Sequence, residues 1–172
     1  PTLQAQWLVV PRHPQRVDEV EQLFVQQGFK VTRRSSWASD QGLLTPVDTA
    51  MPTIFLGDSL GEMALYYSLS DVALLGGSFE PLGGQNLIEA AACACPIVMG
   101  PHTFNFTDAS QAAVQAGAAF RVATMREAIE RAHSLAQNTE ALKVQSEKAT
   151  WFASQHGGAT QRTALAVREW IK

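Results

Sequence analysis

The sequence predicts an α/β fold in which a parallel sheet of about six strands carries helices on both faces. Short apolar runs, which are typical of strands, alternate along the chain with amphipathic or alanine-rich runs, which are typical of helices. The strand candidates are apolar along their whole length, as expected for a sheet that is covered on both faces. Alternation of this kind indicates a doubly wound, Rossmann-like unit.

Turn-forming residues separate the predicted elements. The strands are predicted at "QWLVV" (6–10), "FKVTRRS" (29–35), "PTIFL" (52–56), "DVALLG" (71–76), "PIVMG" (96–100) and "AAFRV" (118–122). Helices are predicted over 16–27, 61–70, 86–95 and 107–116, with a loop at 38–52 and mostly helix over 124–172, broken at Gly157-Gly158.

The composition indicates a globular chain of about one domain. A length of 172 residues with 46% hydrophobic and 17% charged residues suits one buried core. A net charge of −3 gives no nucleic-acid-binding footprint. Cys93 and Cys95 have the wrong spacing for a zinc knuckle, and we interpret them as small buried residues near a helix end. No run is long enough to span a membrane, and the first strand follows Pro1 so closely that we expect a piece of a longer protein.

Polar and glycine-rich segments follow four of the predicted strands: "PRHP", "GDSLGE", "GGSFEPLGGQN" and "GPHTFNF". Ligands of such sheets bind beyond the carboxyl ends of the strands, so we expect the four segments to gather on one edge. The motifs G-x-G-x-x-G and G-K-[ST] are absent, and the segment around Ser78 lacks the second glycine of a nucleophile elbow. The sequence therefore disfavours a dinucleotide enzyme, a P-loop ATPase and a serine hydrolase.

The segment from Gly83 to Glu89 is the strongest binding candidate. Glycine allows backbone N–H groups to approach an anion, and a helix beginning near Gln85 or Asn86 presents unpaired N–H groups to a phosphate. Glu89, about one turn into the helix, has a carboxylate that can accept hydrogen bonds from ribose hydroxyls. The alternative is a capping box in which Asn86 caps the helix and Glu89 reaches back to the backbone. The spacing alone does not separate these interpretations.

The other loops also leave two interpretations open. Arg12, stiffened by flanking prolines, is either an anion or base contact or a surface arginine. Glu62 either lies at the binding edge, where Gly61 leaves backbone groups exposed, or only interacts favourably with the dipole at a helix start. The segment "GPHTFNF" either lines the cleft or packs its Phe rings in the core, with Thr107 or Asp108 as a helix cap.

Four segments follow one another along the chain: "PRHP", "GDSLGEM", "GGSF" and "GGQNLIEAAACACPIVMGPHTFNF". In this order they closely resemble segments of the bacterial 3-deoxy-D-manno-octulosonic acid (Kdo) transferases, which are GT-B glycosyltransferases. The run from Gly83 to Phe106 is the most specific part. The resemblance implies that residues 1–172 are the C-terminal domain that binds the donor CMP-Kdo. It places the acceptor domain with the catalytic base, and a membrane anchor, outside this chain.

The resemblance also implies a substrate, a location and a set of contacts. The family moves Kdo onto the lipid A precursor at the cytoplasmic face of the bacterial inner membrane, so we expect this piece to be soluble, to bind CMP and to be inactive alone. Nucleic acid is not an implied partner, and neither a cofactor nor a metal is expected because the donor has one phosphate. The implied CMP contacts are Pro11, Arg12, Leu60, Gly61, Glu62, Asn86, Leu87, Ile88 and Glu89, with Gly77, Ser78, Gly84 and Gln85 near the phosphate or the sugar.

One residue departs from the family, and two other functions stay open. Many relatives have His where this chain has Gln85; both donate a hydrogen bond, but only His titrates. The alternatives are a nucleotide-sugar epimerase of similar architecture, which would prefer uridine diphosphate sugars, and a non-catalytic nucleotide-binding module.

Overall fold

Strands and helices alternate along the chain as predicted. The structure is a computed structural model that describes residues 5–38 and 52–156. Its strands are β1 (Trp7–Val9), β2 (Lys30–Arg33), β3 (Thr53–Leu56), β4 (Ala73–Leu75), β5 (Ile97–Met99) and β6 (Ala119–Arg121). Its α-helices are α1 (Val17–Gln26), α2 (Met63–Ser68), α3 (Leu87–Ala92), α4 (Thr107–Gln115), α5 (Met125–Ala136) and α6 (Thr139–His156). The chain divides into two units, with the boundary after Tyr66.

The first unit is built on a parallel sheet with the order β1-β3-β2. Trp7 pairs with Ile54 and Lys30 pairs with Thr53, so β3 is the middle strand. α1 connects β1 to β2 and ends where Gly28 adopts a φ of +84°, a backbone conformation that glycine reaches without the penalty of a side chain.

The second unit is built on a parallel sheet with the order β4-β5-β6. Ala73 pairs with Ile97, which also pairs with Ala119. All three residues of β5 are fully buried, as expected for a central strand covered on both faces. Residues of α3, α4 and α6 complete the core, among them Leu87 and Phe152.

The Rossmann-like α/β class with six parallel strands is confirmed, and within the described residues the hydrogen-bonded strands form two groups of three. An apolar pattern along a strand indicates that both faces of the strand are buried. It does not specify which other strand pairs with it. The predicted break at Gly157-Gly158 and most of the predicted loop at 38–52 lie outside the described residues. The interpretation of residues 1–172 as one domain stays a prediction.

Candidate functional site

Within each unit, parallel pairing brings the loops of interest to a common edge. In the first unit, Pro11-Arg12 follow β1 and the segment 57–62 follows β3, its hydrogen-bonded neighbour. In the second unit, residues 76–86 follow β4 and residues 100–106 follow β5. The gathering of all four segments on one edge stays a prediction.

Asn86 and Glu89 form a side-chain pair at the start of α3. Asn86 caps the helix, because its Oδ1 accepts a hydrogen bond from the backbone N–H of Ile88 at 3.1 Å. Its Nδ2 donates to Glu89 Oε1 at 2.9 Å. The cap is therefore confirmed, but Glu89 holds the amide of Asn86 rather than its backbone N–H. Glu89 is exposed, and in the described part of the chain its second carboxylate oxygen makes no hydrogen bond.

The glycine pair before α3 has a role that the sequence did not indicate. Gly83 and Gly84 have φ values of +87° and +83°, and both are buried. The Gly84 N–H donates to Gly77 O at 3.3 Å, and Gly83 O accepts from the N–H of Asn105 at 3.1 Å. A Cβ on Gly84 would lie 3.3 Å from the carbonyl oxygen of His102. The glycines thus allow the loop after β5 to approach closely, and the Gly84 amide is occupied within the protein.

Ser78 joins the loops after β4 and β5. Its buried Oγ donates to Leu75 O at 2.5 Å and accepts from the N–H of Gly100 at 2.7 Å. Its carbonyl oxygen accepts from the N–H of His102 at 2.9 Å. The side chain of Ser78 is therefore structural in this arrangement.

Two neighbours of Asn86 have distinct surroundings. Gln85 is half-buried, and its Oε1 accepts from the Gly77 N–H at 3.4 Å, which fixes the side-chain amide. Its NH₂ group makes no hydrogen bond within residues 5–38 and 52–156. The Leu87 side chain lies in the core, and Ile88 packs against that core. Leu87 thus has only its backbone available to a ligand.

The segment "GPHTFNF" fits neither of its two interpretations completely. Phe106 packs against the core, but Phe104 is 61% exposed. The predicted cap at Thr107 or Asp108 is wrong, because α4 begins without a side-chain cap. Thr107 Oγ1 instead donates to Phe104 O at 3.1 Å and closes the preceding 3₁₀ turn.

In the first unit, a polar network fixes Glu62. Arg34 Nη2 donates to Glu62 Oε1 at 2.9 Å, and Ser59 Oγ donates to Oε2, which Tyr66 OH also contacts at 3.4 Å. The Ser59 hydrogen bond and the Arg34 charge lower the pKa of Glu62 despite an opposing effect of burial. Glu62 is therefore a charged, oriented carboxylate. Sequence reasoning missed Arg34, whose only signal was its position directly after β2.

The remaining predicted contacts of the first unit are open to solvent. Arg12 is exposed and makes no hydrogen bond or ion pair with the part of the chain that the structure describes, while Pro11 is half-buried. Leu60 is 81% exposed, and Gly61 turns the chain with a φ of +78°. These positions offer a cation and exposed backbone groups to a ligand.

The cysteines and the helices add no further site. Cys95 is buried, which raises the pKa of its thiol to about 12, and its Sγ lies 3.4 Å from Ser70 O. Cys93 is half-buried, and neither cysteine forms a disulfide within the described residues. This agrees with a packing role. No helix in residues 5–38 or 52–156 is both long and apolar enough to cross a bilayer.

Comparison with known proteins reveals close relatives. A 3-deoxy-D-manno-octulosonic acid transferase from Bordetella pertussis is 44% identical over 164 residues, which are 95% of this chain and 37% of that protein. The transferase of the same name from Haemophilus influenzae is 33% identical over 96% of this chain and 37% of its own length. A probable mitochondrial one from Arabidopsis thaliana is 35% identical over 79% of this chain and 30% of its length. No protein-family model matches the chain.

A solved structure shows the same fold. The crystal structure of the C-terminal CMP-Kdo binding domain of WaaA from Acinetobacter baumannii superposes with a TM-score of 0.75 and 29% identity, covering 88% of this chain and 75% of that one. This chain spans little more than a third of the relatives from Bordetella and Haemophilus. Sequence and fold together, in agreement with the loop motifs, show that the chain belongs to the Kdo transferases, a family of glycosyltransferases.

Proposed function

We propose that this chain is the donor-binding domain of a Kdo transferase and binds CMP-Kdo through its CMP part. The observation that carries the proposal is the Asn86–Glu89 pair, fixed at the carboxyl edge of the second unit with one carboxylate oxygen of Glu89 left for a ligand. The relation to a domain described as CMP-Kdo binding, at a TM-score of 0.75, supports the choice of ligand.

The second unit would hold the ribose and the phosphate. The unused oxygen of Glu89 accepts hydrogen bonds from the ribose hydroxyls, while Asn86 keeps the carboxylate in place. The Gln85 NH₂ group, aimed by the bond from Gly77 to its Oε1, donates to the phosphate. Donor cleavage leaves negative charge on the departing CMP, which such a donor stabilises. A titrating imidazole is not needed for this role, so the amide of Gln85 suffices.

The first unit by itself offers groups that suit a nucleotide. Arg12 offers an exposed guanidinium that has no partner among residues 5–38 and 52–156. The exposed turn at Leu60 and Gly61 offers backbone groups that can read the hydrogen-bonding edge of a base. Glu62, ion-paired with Arg34, stabilises that turn from the side of β2.

The transfer itself would need groups outside this chain. We propose that an acceptor domain of the longer protein supplies the general base and binds the lipid A precursor at the cytoplasmic face of the inner membrane. This chain then supplies donor binding and stabilisation of the leaving group.

Calorimetric titration of the chain with CMP, UMP and UDP tests this assignment. We expect CMP to bind at least about tenfold more tightly than UMP or UDP, because a site that hydrogen-bonds the cytosine edge leaves polar groups unpaired with uracil. Tighter binding of UDP would favour the epimerase alternative, and absence of CMP binding would overturn the proposal.

Metal independence of CMP binding is a separate expectation. A single phosphate carries less charge than a diphosphate, and the Gln85 amide supplies a hydrogen-bond donor for it. We expect the same CMP affinity in EDTA as in Mg²⁺. An affinity that collapses in EDTA would show that a metal belongs to the site.

A further inference from the structure

Arg121 ends β6 and reaches two buried hydroxyl groups. Its Nη2 donates to Thr103 Oγ1 at 3.1 Å and to Ser110 Oγ at 2.9 Å. Thr103 lies in the loop after β5 and Ser110 lies in α4, and both are buried. The two hydroxyl oxygens are 2.9 Å apart. We refer to Arg121, Thr103 and Ser110 as the hydroxyl cluster.

The hydrogens of the hydroxyl cluster can be placed by counting donors. Ser110 has one hydroxyl hydrogen, which it donates to Thr107 O at 2.9 Å. Thr103 must therefore donate to Ser110, and both hydroxyl oxygens accept from Arg121 Nη2. Both hydroxyl hydrogens therefore have an acceptor. Because the donor is charged, both bonds from Arg121 are of the stronger, charge-assisted kind.

The hydroxyl cluster is connected to the candidate site through the loop after β5. A Cβ on Gly84 would lie 3.4 Å from Thr103 Cα, so the backbone of this loop lies directly against the glycine pair. On either side of Thr103, the N–H of Asn105 donates to Gly83 O at 3.1 Å and that of His102 donates to Ser78 O at 2.9 Å. The glycine pair leads directly into Gln85 and the Asn86–Glu89 pair.

We propose that Arg121 is a positioning residue for donor binding. By holding Thr103, it keeps the loop after β5 against Gly83 and Gly84, and this support sets the place of Gln85 and Asn86. The inference rests on the proposed CMP site. It adds Arg121, which lies outside that site at the end of β6. Its charge is directed into the hydroxyl cluster and is not required to touch the ligand.

A double-mutant cycle separates this role from direct contact with the ligand. CMP affinity is measured by calorimetry for the wild type, Arg121→Ala, Thr103→Val and the double variant. We expect each single variant to lose affinity about tenfold and the double variant to lose little more, because both substitutions break the same connection. Arg121→Lys, which keeps a charged donor, should recover part of the loss.

Arg131→Ala is the matched control. Arg131 is exposed and lies over the ring of Phe120, the neighbour of Arg121 in β6, at 4.9 Å from the ring centroid. It makes no hydrogen bond to Thr103 or Ser110 in the described part of the chain. The control should bind CMP like the wild type. Amide hydrogen exchange of Asn105 without ligand should accelerate in Arg121→Ala and stay unchanged in Arg131→Ala.

Each other outcome contradicts the proposal in a distinct way. Unchanged CMP affinity and unchanged Asn105 exchange in Arg121→Ala would refute the positioning role and leave the proposed function intact. Additive losses in the cycle would indicate that Arg121 touches the ligand instead. A wild-type chain that fails to bind CMP would remove the proposed function, and the inference with it.

Discussion

Glu89 is the residue whose substitution should affect ligand binding and protein stability most differently. Its carboxylate is exposed and makes one hydrogen bond within the described residues, from Asn86 Nδ2. We expect Glu89→Ala to weaken CMP binding about tenfold or more, since hydrogen bonds to a charged group contribute about 1.5–3 kcal/mol. The melting temperature should change little because only an exposed contact is lost.

Glu80→Ala is a suitable control for this prediction, because Glu80 is exposed in the loop that leads into α3 and makes no side-chain hydrogen bond in the described part of the chain. Calorimetry and a thermal melt on each variant provide the comparison. If Glu89→Ala instead unfolds readily but keeps its affinity per folded molecule, the carboxylate serves the helix cap rather than the ribose.

Gly100 tests how closely the loops of the second unit pack. A Cβ there would collide with the carbonyl oxygen of Ser78 and lie 2.8 Å from a ring carbon of Phe79. We expect Gly100→Ala to lower the free energy of unfolding by about 2 kcal/mol, as overpacking typically does. At Gly76, by contrast, no atom of the described residues other than Gly76 and its chain neighbours lies within 4 Å of an added Cβ.

Urea denaturation of Gly100→Ala and Gly76→Ala gives the comparison. The Gly76 variant should be unchanged or more stable by up to about 1 kcal/mol, because alanine lowers the entropy of the unfolded chain. Equal stability of the two variants would show that the loop after β5 adjusts without cost.

The junction between β3 and α2 should respond to pH through Glu62. Its hydrogen bond from Ser59 and the charge of Arg34 lower the pKa of the folded state. A lowered carboxyl pKa stabilises the fold at pH values above the unfolded pKa of about 4.3, and this stabilisation is lost as pH falls through the folded value. We therefore expect Glu62→Gln to be less stable than the wild type at neutral pH, with a difference that shrinks on acidification.

Chemical denaturation at several pH values between neutral and acid measures this difference. Glu80→Gln removes an exposed carboxylate outside the network and should follow the wild-type profile. A Glu62→Gln profile parallel to that of the wild type would mean that the network adds no pH-dependent stability.

At the scale of elements, the sequence predicts which helices and strands exist better than it predicts the residues at which they begin and end. The helix predicted over 86–95 ends at Ala92, because Ala94 adopts a φ of +57° where a glycine or asparagine would have signalled the stop. The division between α5 and α6 was missed although Asn138 caps α6, its Oδ1 accepting from the Ala141 N–H at 3.0 Å. An asparagine inside a long helical pattern was the available signal.

At the scale of the molecule, the sequence predicted contacts between residues that are close together in the chain. Asn86 and Glu89 lie three residues apart on one helix, and they do contact each other. The partners that fix the loops lie at or just after the ends of other strands: Arg34 follows β2 and contacts Glu62, and Arg121 ends β6 and contacts Thr103. Such pairs depend on which strands lie side by side, which the apolar pattern of each strand does not encode.

The strands β1 and β5 differ in how deeply they are buried, and this difference predicts unequal protection from hydrogen exchange. The three residues of β5 are fully buried, whereas the three residues of β1 are only half-buried. Local opening costs least where little apolar surface is buried. We expect the slowest amides of the chain in β5 and β4, with those of β1 exchanging at least about tenfold faster, measured by exchange at single-residue resolution. Equal protection in β1 and β5 would indicate that both units unfold in one cooperative step, so that local burial does not govern opening.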